Sequence, residues 1–185
     1  MNPKDFQSER PTVSVIIPFY NNQDEVVRIE EHIRNQTYPE SNLEVIFVDN
    51  GSEDSYQFQE SFLKRNILLT EKKYLNSPYS ARNRGIEAST GEIIVFVDAN
   101  SFPEGDWLEQ GVNCLRDSGK DLMGGNVLFD FQDEMTAAKI VDSLTSIQMK
   151  DAIEKRGVAY TANLFVKRCV FDQIGHFEER SAIRW

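Results

Sequence analysis

The chain has 185 residues, enough for one α/β domain or for one domain with an incomplete second lobe, and 40% of it is hydrophobic, so a sizeable core can be buried. Thirty acidic residues against twenty basic ones give a formal net charge of −10, which argues against a protein that grips nucleic-acid phosphates. One small anionic ligand is still allowed, because a bound cation or helix N-termini neutralise phosphates locally.

After a polar N-terminal arm, Val13-Ser14-Val15-Ile16-Ile17 is β-branched and almost continuously apolar up to Pro18, the pattern of a parallel strand buried on both faces. Asn21 and Asn22 offer N-cap chemistry for a helix with apolar positions Val26, Ile29 and Ile33. Leu43 to Val48 predicts the second strand, stopped by Asp49-Asn50-Gly51-Ser52. A weakly patterned helix follows, and Asn66 to Thr70 predicts a short third strand. Ser80 to Ser89 reads as a helix closed at Thr90-Gly91, and Glu92 to Val97 as the fourth strand, ending at Asp98. A further helix starts near Asp106 with Leu108, Val112 and Leu115 on one face. Alternating strands and helices of this length predict an α/β fold, a Rossmann-like open sheet, mostly parallel and flanked by helices.

Beyond Asp121 the rhythm changes. Leu122 to Phe129 predicts another strand, and Asp133 to Arg156 a long helix with Ala138, Val141, Leu144 and Ile147 near one stripe. Ala162 to Val166 reads as a last strand before a short helix and the Gly175 turn. The expected division is a ligand-binding half over residues 1–120 and an incomplete acceptor-side half over 121–185, within a single domain. Cys114 and Cys169 stand far apart without CxxC spacing, so they read as reduced, mostly buried thiols rather than a zinc site or a disulfide. No stretch approaches about 18 uninterrupted apolar residues, and Met1-Asn2-Pro3-Lys4-Asp5 does not open a signal peptide. The expectation is a soluble, cytoplasmic protein with no transmembrane segment, peripheral contact at the inner membrane face being left open. No oligomeric state follows from the sequence.

In open α/β sheets, ligands bind outside the carboxyl ends of the strands. Three such ends carry polar clusters here: Pro18-Phe19-Tyr20-Asn21, Asp49-Asn50-Gly51-Ser52 and Asp98-Ala99-Asn100. Any one of them reads as turn chemistry; three at one end of a sheet read as a site. In extended geometry Asp98 and Asn100 project to one side, so both could offer oxygen to a hard cation that bridges a diphosphate. Arg82, near the start of its helix, could reach a phosphate, a nucleobase or the Asp98 loop. Arg84 reads as solvated helix surface. His32 and His176 form no plausible pair, the first lying in an amphipathic helix and the second beside a turn.

Together these stretches resemble the family-two glycosyltransferases, which are inverting enzymes of the A-type nucleotide-diphospho-sugar-transferase fold. The resemblance runs through Val13 to Asn21, Val48 to Ser55, Ala81-Arg82-Asn83-Arg84-Gly85-Ile86 and Phe96 to Asn100 with Pro103 and Trp107-Leu108. It continues through Ala162-Asn163 to Gly175-His176-Phe177-Glu178-Glu179, and so spans roughly residues 12 to 180. It implies a nucleotide-sugar donor, most often a uridine diphosphate (UDP) sugar, and a saccharide or lipid-linked saccharide acceptor in cell-surface or extracellular polysaccharide synthesis. Pro18, Tyr20, Asn21 and Asp49 would hold base and ribose. Arg82 would support that pocket, and Asp98 would face ribose, diphosphate and metal. With Asn100 it would bind Mn²⁺ or Mg²⁺.

Two departures from the family pattern stand out. Asp98-Ala99-Asn100 replaces the usual Asp-X-Asp, which weakens the expected metal site, and Asp49-Asn50-Gly51-Ser52 replaces the frequent Asp-Asp-Gly-Ser. After Glu179 the family usually supplies its catalytic base in an acidic motif. Here the sequence reads Arg180-Ser181-Ala182-Ile183-Arg184-Trp185, with Ala182 in the place of the acid if Trp185 is the motif's aromatic. Glu178 and Glu179 are weak substitutes, and exposed turn carboxylates are the plainer reading. The expectation is therefore a transferase, with a truncated or degenerate nucleotide-sugar-binding module as the alternative. A nucleotidyltransferase lacks support, since no Gly-rich phosphate loop with a following Lys occurs.

Overall fold

β-Branched apolar runs become strands wherever both of their faces can be covered. The computed structural model describes residues 10–53, 58–75, 77–129, 136–137, 140–141, 143 and 148–178. In chain order the elements are β1 (Val13–Phe19), α1 (Gln23–Arg34), β2 (Leu43–Asp49), α2 (Glu60–Leu63), β3 (Ile67–Thr70), α3 (Pro78–Ala88) and β4 (Ile93–Val97). There follow α4 (Trp107–Asp117), β5 (Leu122–Gly124), α5 (Met149–Arg156), β6 (Asn163–Lys167) and α6 (Arg168–Ile174).

The six strands lie in the order β3-β2-β1-β4-β6-β5. β1 pairs in parallel with β2 and β4, and β2 with β3, whereas β6 runs antiparallel between β4 and β5. Five strands thus share one direction and β6 opposes them, which is the mostly parallel open sheet expected. Register brings Phe19, Asp49 and Thr70 side by side at the carboxyl ends, and sets Asn163 opposite Val97 where β4 finishes.

Side-chain alternation sends Val15, Ile17, Phe47 and Val95 into one apolar layer with Val26, Ile29, Leu108 and Leu115. Ile16, Ile46, Ile94 and Phe96 enter the opposite layer, with Ala81 and Ile86 of α3. Covering both faces explains why the strands read as continuous rather than alternating apolar runs. α3 comes very close to the sheet: a Cβ on Gly85 would stand 2.4 Å from Ile16 Cγ2, so no larger residue fits without displacing the helix.

Several expectations need correction. β5 stops at Gly124 instead of running to Phe129, because its partner β6 begins at Asn163 and offers no ladder beyond it. The long helix over 133–156 is not continuous: Gln148 has φ −101° and ψ 79°, and its side-chain Nε2 donates to the Ser143 carbonyl at 2.8 Å. Val141 is 56% exposed rather than part of a buried stripe, while Ala138, Leu144 and Ile147 lie outside the described residues. Cys114 and Cys169 are exposed, not buried. Cys114 sits off the stripe of Leu108, Val112 and Leu115 that α4 buries. Asn22 does take the N-cap position of α1, but without a side-chain cap bond; its Oδ1 accepts from the Tyr20 amide at 2.9 Å. Of the weak helix after β2, the described part is Glu60–Leu63, anchored by buried Phe62.

Candidate functional site

The carboxyl ends of β1 and β2 are sewn together by the polar residues that end them. Asp49 Oδ1 accepts from both the amide and the hydroxyl of Ser52, at 2.9 and 2.7 Å, which closes a turn through Gly51 at φ +88°. Asn21 also adopts a left-handed backbone, φ +54°, a conformation that Asn tolerates better than most residues. Its amide donates to Ser52 Oγ at 3.0 Å and its Oδ1 accepts from the Glu53 amide at 2.9 Å. The Tyr20 hydroxyl reaches Glu53 at 3.3 Å while its ring remains 37% exposed. Pro18 is half-buried as the penultimate residue of β1.

Asn50 explains one of the sequence departures. Assigned with its side-chain nitrogen toward the Ser77 carbonyl (3.3 Å) and its oxygen toward the Ser77 amide (3.2 Å), the orientation that satisfies both, it pairs with that backbone like a strand neighbour. An ionised aspartate has no N–H with which to complete such a pair. Ser77 in turn caps α3, its side chain accepting from the Ser80 amide. The second loop is thereby tied to the helix that carries Arg82.

On the other side of β1, Arg82 and Asp98 meet. Arg82 is 6% exposed; its guanidinium donates to Asp98 Oδ1 at 2.9 Å and to the Pro78 carbonyl at 3.2 Å. Burial pushes the Arg82 guanidinium below its ordinary pKa, and the Asp98 carboxylate works against that shift. Arg82 Nε and Ser80 Oγ are buried without a hydrogen-bond partner among the described residues. Asp98, by contrast, keeps 38% of its side chain exposed. The site is therefore a buried cation that steadies a carboxylate whose other face meets solvent.

Contrary to the expectation from the sequence, Asp98 and Asn100 do not lie on one side of an extended strand. β4 ends at Val97, and the Ser101 amide donates to the Asp98 carbonyl at 2.9 Å, so residues 98–101 form a turn. Ala99 is buried in that turn and Asn100 is exposed. Among the described residues no group of three His, Cys, Asp or Glu could hold a metal. Glu178 is exposed after Phe177; Glu179 lies outside the described residues, as do Ala182 and Trp185. His32 is structural, with Nδ1 at 3.1 Å from the Pro103 carbonyl and its ring against Phe102.

Two side chains that hold α4 carry no signal of their own in the sequence. Gln36 donates to the Glu104 carbonyl at 2.7 Å and accepts from the Leu108 amide at 3.0 Å. It thus supplies the α4 cap that the Asp106 side chain does not make. Asn163 accepts from the Trp107 indole at 3.0 Å and donates to the Asn126 carbonyl at 2.8 Å, joining α4 to the start of β6. Periodicity is blind to both, because each is defined by loop carbonyls and amides rather than by a repeating face.

An open α/β sheet with loops of this chemistry at its carboxyl edge belongs to the ligand-binding class of doubly covered sheets. The family model described as "Glycosyl transferase family 2" matches residues 14–174, and the chain belongs to that family. Glycosyltransferase AglE of Haloferax volcanii is 43% identical over 175 residues, covering 92% of this chain and 57% of the relative. The putative glycosyltransferase EpsH of Bacillus subtilis is 34% identical over 140 residues, covering 73% and 38%. The chain therefore spans little more than half, or less, of these relatives' lengths. In three dimensions it resembles a mannosyltransferase of Pyrobaculum calidifontis, solved with GDP-Man and Mn²⁺, with a TM-score of 0.70 and 23% identity. That match covers 94% of this chain and 49% of the other. The S. aureus TarS structure with UDP-GlcNAc gives a TM-score of 0.64 at 21% identity, over 92% of this chain and 50% of its own. At such identities these two likenesses establish the fold. Among the described residues no helix is long and apolar enough to cross a membrane.

Proposed function

We propose that this chain supplies the donor-binding part of a glycosyltransferase that moves a sugar, with inversion, from a nucleoside diphosphate sugar to a saccharide or lipid-linked saccharide acceptor. The donor is a UDP-sugar, the setting is cell-surface or extracellular polysaccharide synthesis, and the protein works at the cytoplasmic side. Residues 1–120 form the donor half and 121–185 contribute to the acceptor side. The observation that carries this reading is the buried Arg82 holding a solvent-facing Asp98 at the carboxyl end of β4, across β1 from the Asp49 turn.

The geometry supports a role for each of these residues. Tyr20 offers an exposed ring for a nucleobase to lie on, and Asn21 and Asp49 offer polar groups for base and ribose. Asp98, oriented by Arg82, meets the ribose and diphosphate side, and Pro18 sets the floor of the loop. The donor set, one carboxylate and one exposed amide, suits a cation that takes its remaining ligands from phosphate and water. Asp98 and Asn100 would hold Mn²⁺ or Mg²⁺, which when bound stabilises the charge on the departing nucleoside diphosphate. Inversion requires a base on the face opposite that leaving group. Glu178 is the described candidate, and Glu179 follows it in the chain.

A nucleotide-holding module with little transfer is the second reading, favoured by Asn100 standing where a second carboxylate would strengthen the cation. Calorimetry separates binding from transfer. UDP should bind, and Asp49→Ala should weaken it by about 1–3 kcal/mol, the cost of stranding polar groups of the ligand. Unchanged affinity in that variant would remove Asp49 from the site.

A further inference from the structure

α3 carries two adjacent side chains that reach in different directions. Arg82 binds Asp98, and Asn83 binds the backbone of Phe177, ninety-four positions later in the chain. Asn83 is 3% exposed; its Nδ2 donates to the Phe177 carbonyl at 2.9 Å and its Oδ1 accepts from the Phe177 amide at 2.9 Å. A side-chain amide presents the same donor and acceptor as a peptide group, so this pairing imitates one rung of a sheet. Both bonds are needed, because leaving either group of the buried pair unmet forfeits its solvation as well.

The ring of Phe177 is fixed independently. It packs edge-on to Phe96 of β4 at 5.5 Å and against Phe171 at 6.0 Å, and it faces Tyr79 of α3 at 6.3 Å between ring centres. α3 itself is seated closely on the sheet at Gly85, where an added Cβ would stand 2.4 Å from Ile16 Cγ2. One rigid helix therefore fixes both the turn at Asp98 and the chain that leads into Glu178.

We infer that Asn83 is a positioning residue: its paired hydrogen bonds to Phe177 set where Glu178, the next residue, lies relative to Asp98, and turnover depends on that placement while nucleotide affinity does not. The inference rests on the donor site proposed above. Displacement of a reacting group by about 1 Å can cost about 100-fold in rate, so a lost clamp should appear in kcat.

The test compares the 185-residue chain with its Asn83→Ala and Asn83→Asp variants. UDP affinity is measured by calorimetry with Mn²⁺, and nucleotide release is followed at saturating UDP-glucose, UDP-N-acetylglucosamine or GDP-mannose, with and without oligosaccharide acceptors. Asn83→Ala should leave UDP affinity within about twofold and lower turnover by about 10–100-fold. Asn83→Asp keeps the acceptor for the Phe177 amide but loses the donor to its carbonyl, and should fall between the two. A purely structural role would instead lower the melting temperature and scale binding and turnover together with the folded fraction. Equal turnover in all three proteins overturns the inference, as does a parallel loss of affinity and turnover. A wild type that binds UDP without releasing nucleotide from any donor also overturns it and leaves the donor site standing. A wild type that binds no nucleotide overturns the proposed function itself.

Discussion

The two ends of the sheet are both rich in polar residues, and they use them in opposite ways. At the amino ends a cluster of them is spent on one another. Glu44 Oε1 accepts from the Ser14 hydroxyl, from the Thr90 amide and from the Gly91 amide, and Gly91 also donates to Ser14 Oγ at 2.7 Å. Arg168 completes the cluster, donating to the Gly91 carbonyl at 2.7 Å and to Ser89 Oγ at 2.8 Å. At the carboxyl ends capacity is left over: Asp98 and Tyr20 face solvent, Asn100 is exposed, and Arg82 Nε is buried without a partner among the described residues. Polarity alone therefore does not mark a site. What marks it is polar capacity that the fold holds in place and does not consume.

The sharpest way to break this contrast is at Asp98. Asp98→Asn keeps an oxygen for Arg82 but leaves that buried guanidinium without its counter-charge, so the melting temperature should fall too, and it removes the charge that faces the diphosphate and its cation. Turnover at saturating donor should fall by about 10²–10³-fold, the range seen when one electrostatic stabiliser of a transition state is lost. If the variant melts early yet turns over normally, Asp98 belongs with the structural groups of the opposite end.

Glu44→Ala is the reciprocal experiment. It takes the acceptor from the Ser14 hydroxyl and one partner from each of the Thr90 and Gly91 amides, and should cost about 1–3 kcal/mol of folding stability. UDP affinity should be unchanged, since the cluster lies at the far end of β1 and β2. A denaturant titration with an unaltered slope would read the loss as stability alone. A drop in affinity that exceeded the loss of folded protein would show that the two ends are coupled.

How much of this was legible in the sequence follows the same division. Val13–Ile17, Leu43–Val48 and Ile93–Val97 announce themselves because both faces of the sheet are covered, so apolar residues run without a break. β6 was found as a strand, but its reversed direction was not, since direction leaves no trace in a five-residue apolar run. The three polar clusters were visible from their turn chemistry, and Asp98 was among the groups Arg82 was expected to reach. The turn that parts Asp98 from Asn100 leaves no mark in the apolar run of β4, which gives no sign of where extended geometry ends. Asn50 and Asn83 lay inside recognisable stretches yet carried no assigned role. A side-chain amide that imitates a peptide shows itself only when its partner backbone, Ser77 or Phe177, is brought alongside by the fold.

The smallest expected effect tests whether spare capacity at the carboxyl ends can be increased. Asn100 is exposed in the turn after Asp98, and an aspartate fits the same turn without crowding, so Asn100→Asp should not disturb the packed Ala99 beneath it. Without metal the new carboxylate repels Asp98, and the melting temperature should drop slightly. With UDP and Mn²⁺ the added carboxylate puts a second charge near the cation that Asp98 meets, and its affinity should rise by about 3–10-fold, the scale of about 1 kcal/mol for a solvent-screened charge near a cation. The gain in melting temperature on adding metal should accordingly be larger than in the wild type, because ligands that bind only the folded chain stabilise it in proportion to their affinity. The increment should shrink as salt rises, since both groups are open to solvent. Equal or poorer metal affinity in Asn100→Asp would show that residue 100 points away from the cation, leaving Asp98 as the protein's contribution and the diphosphate as the greater part of the metal's shell.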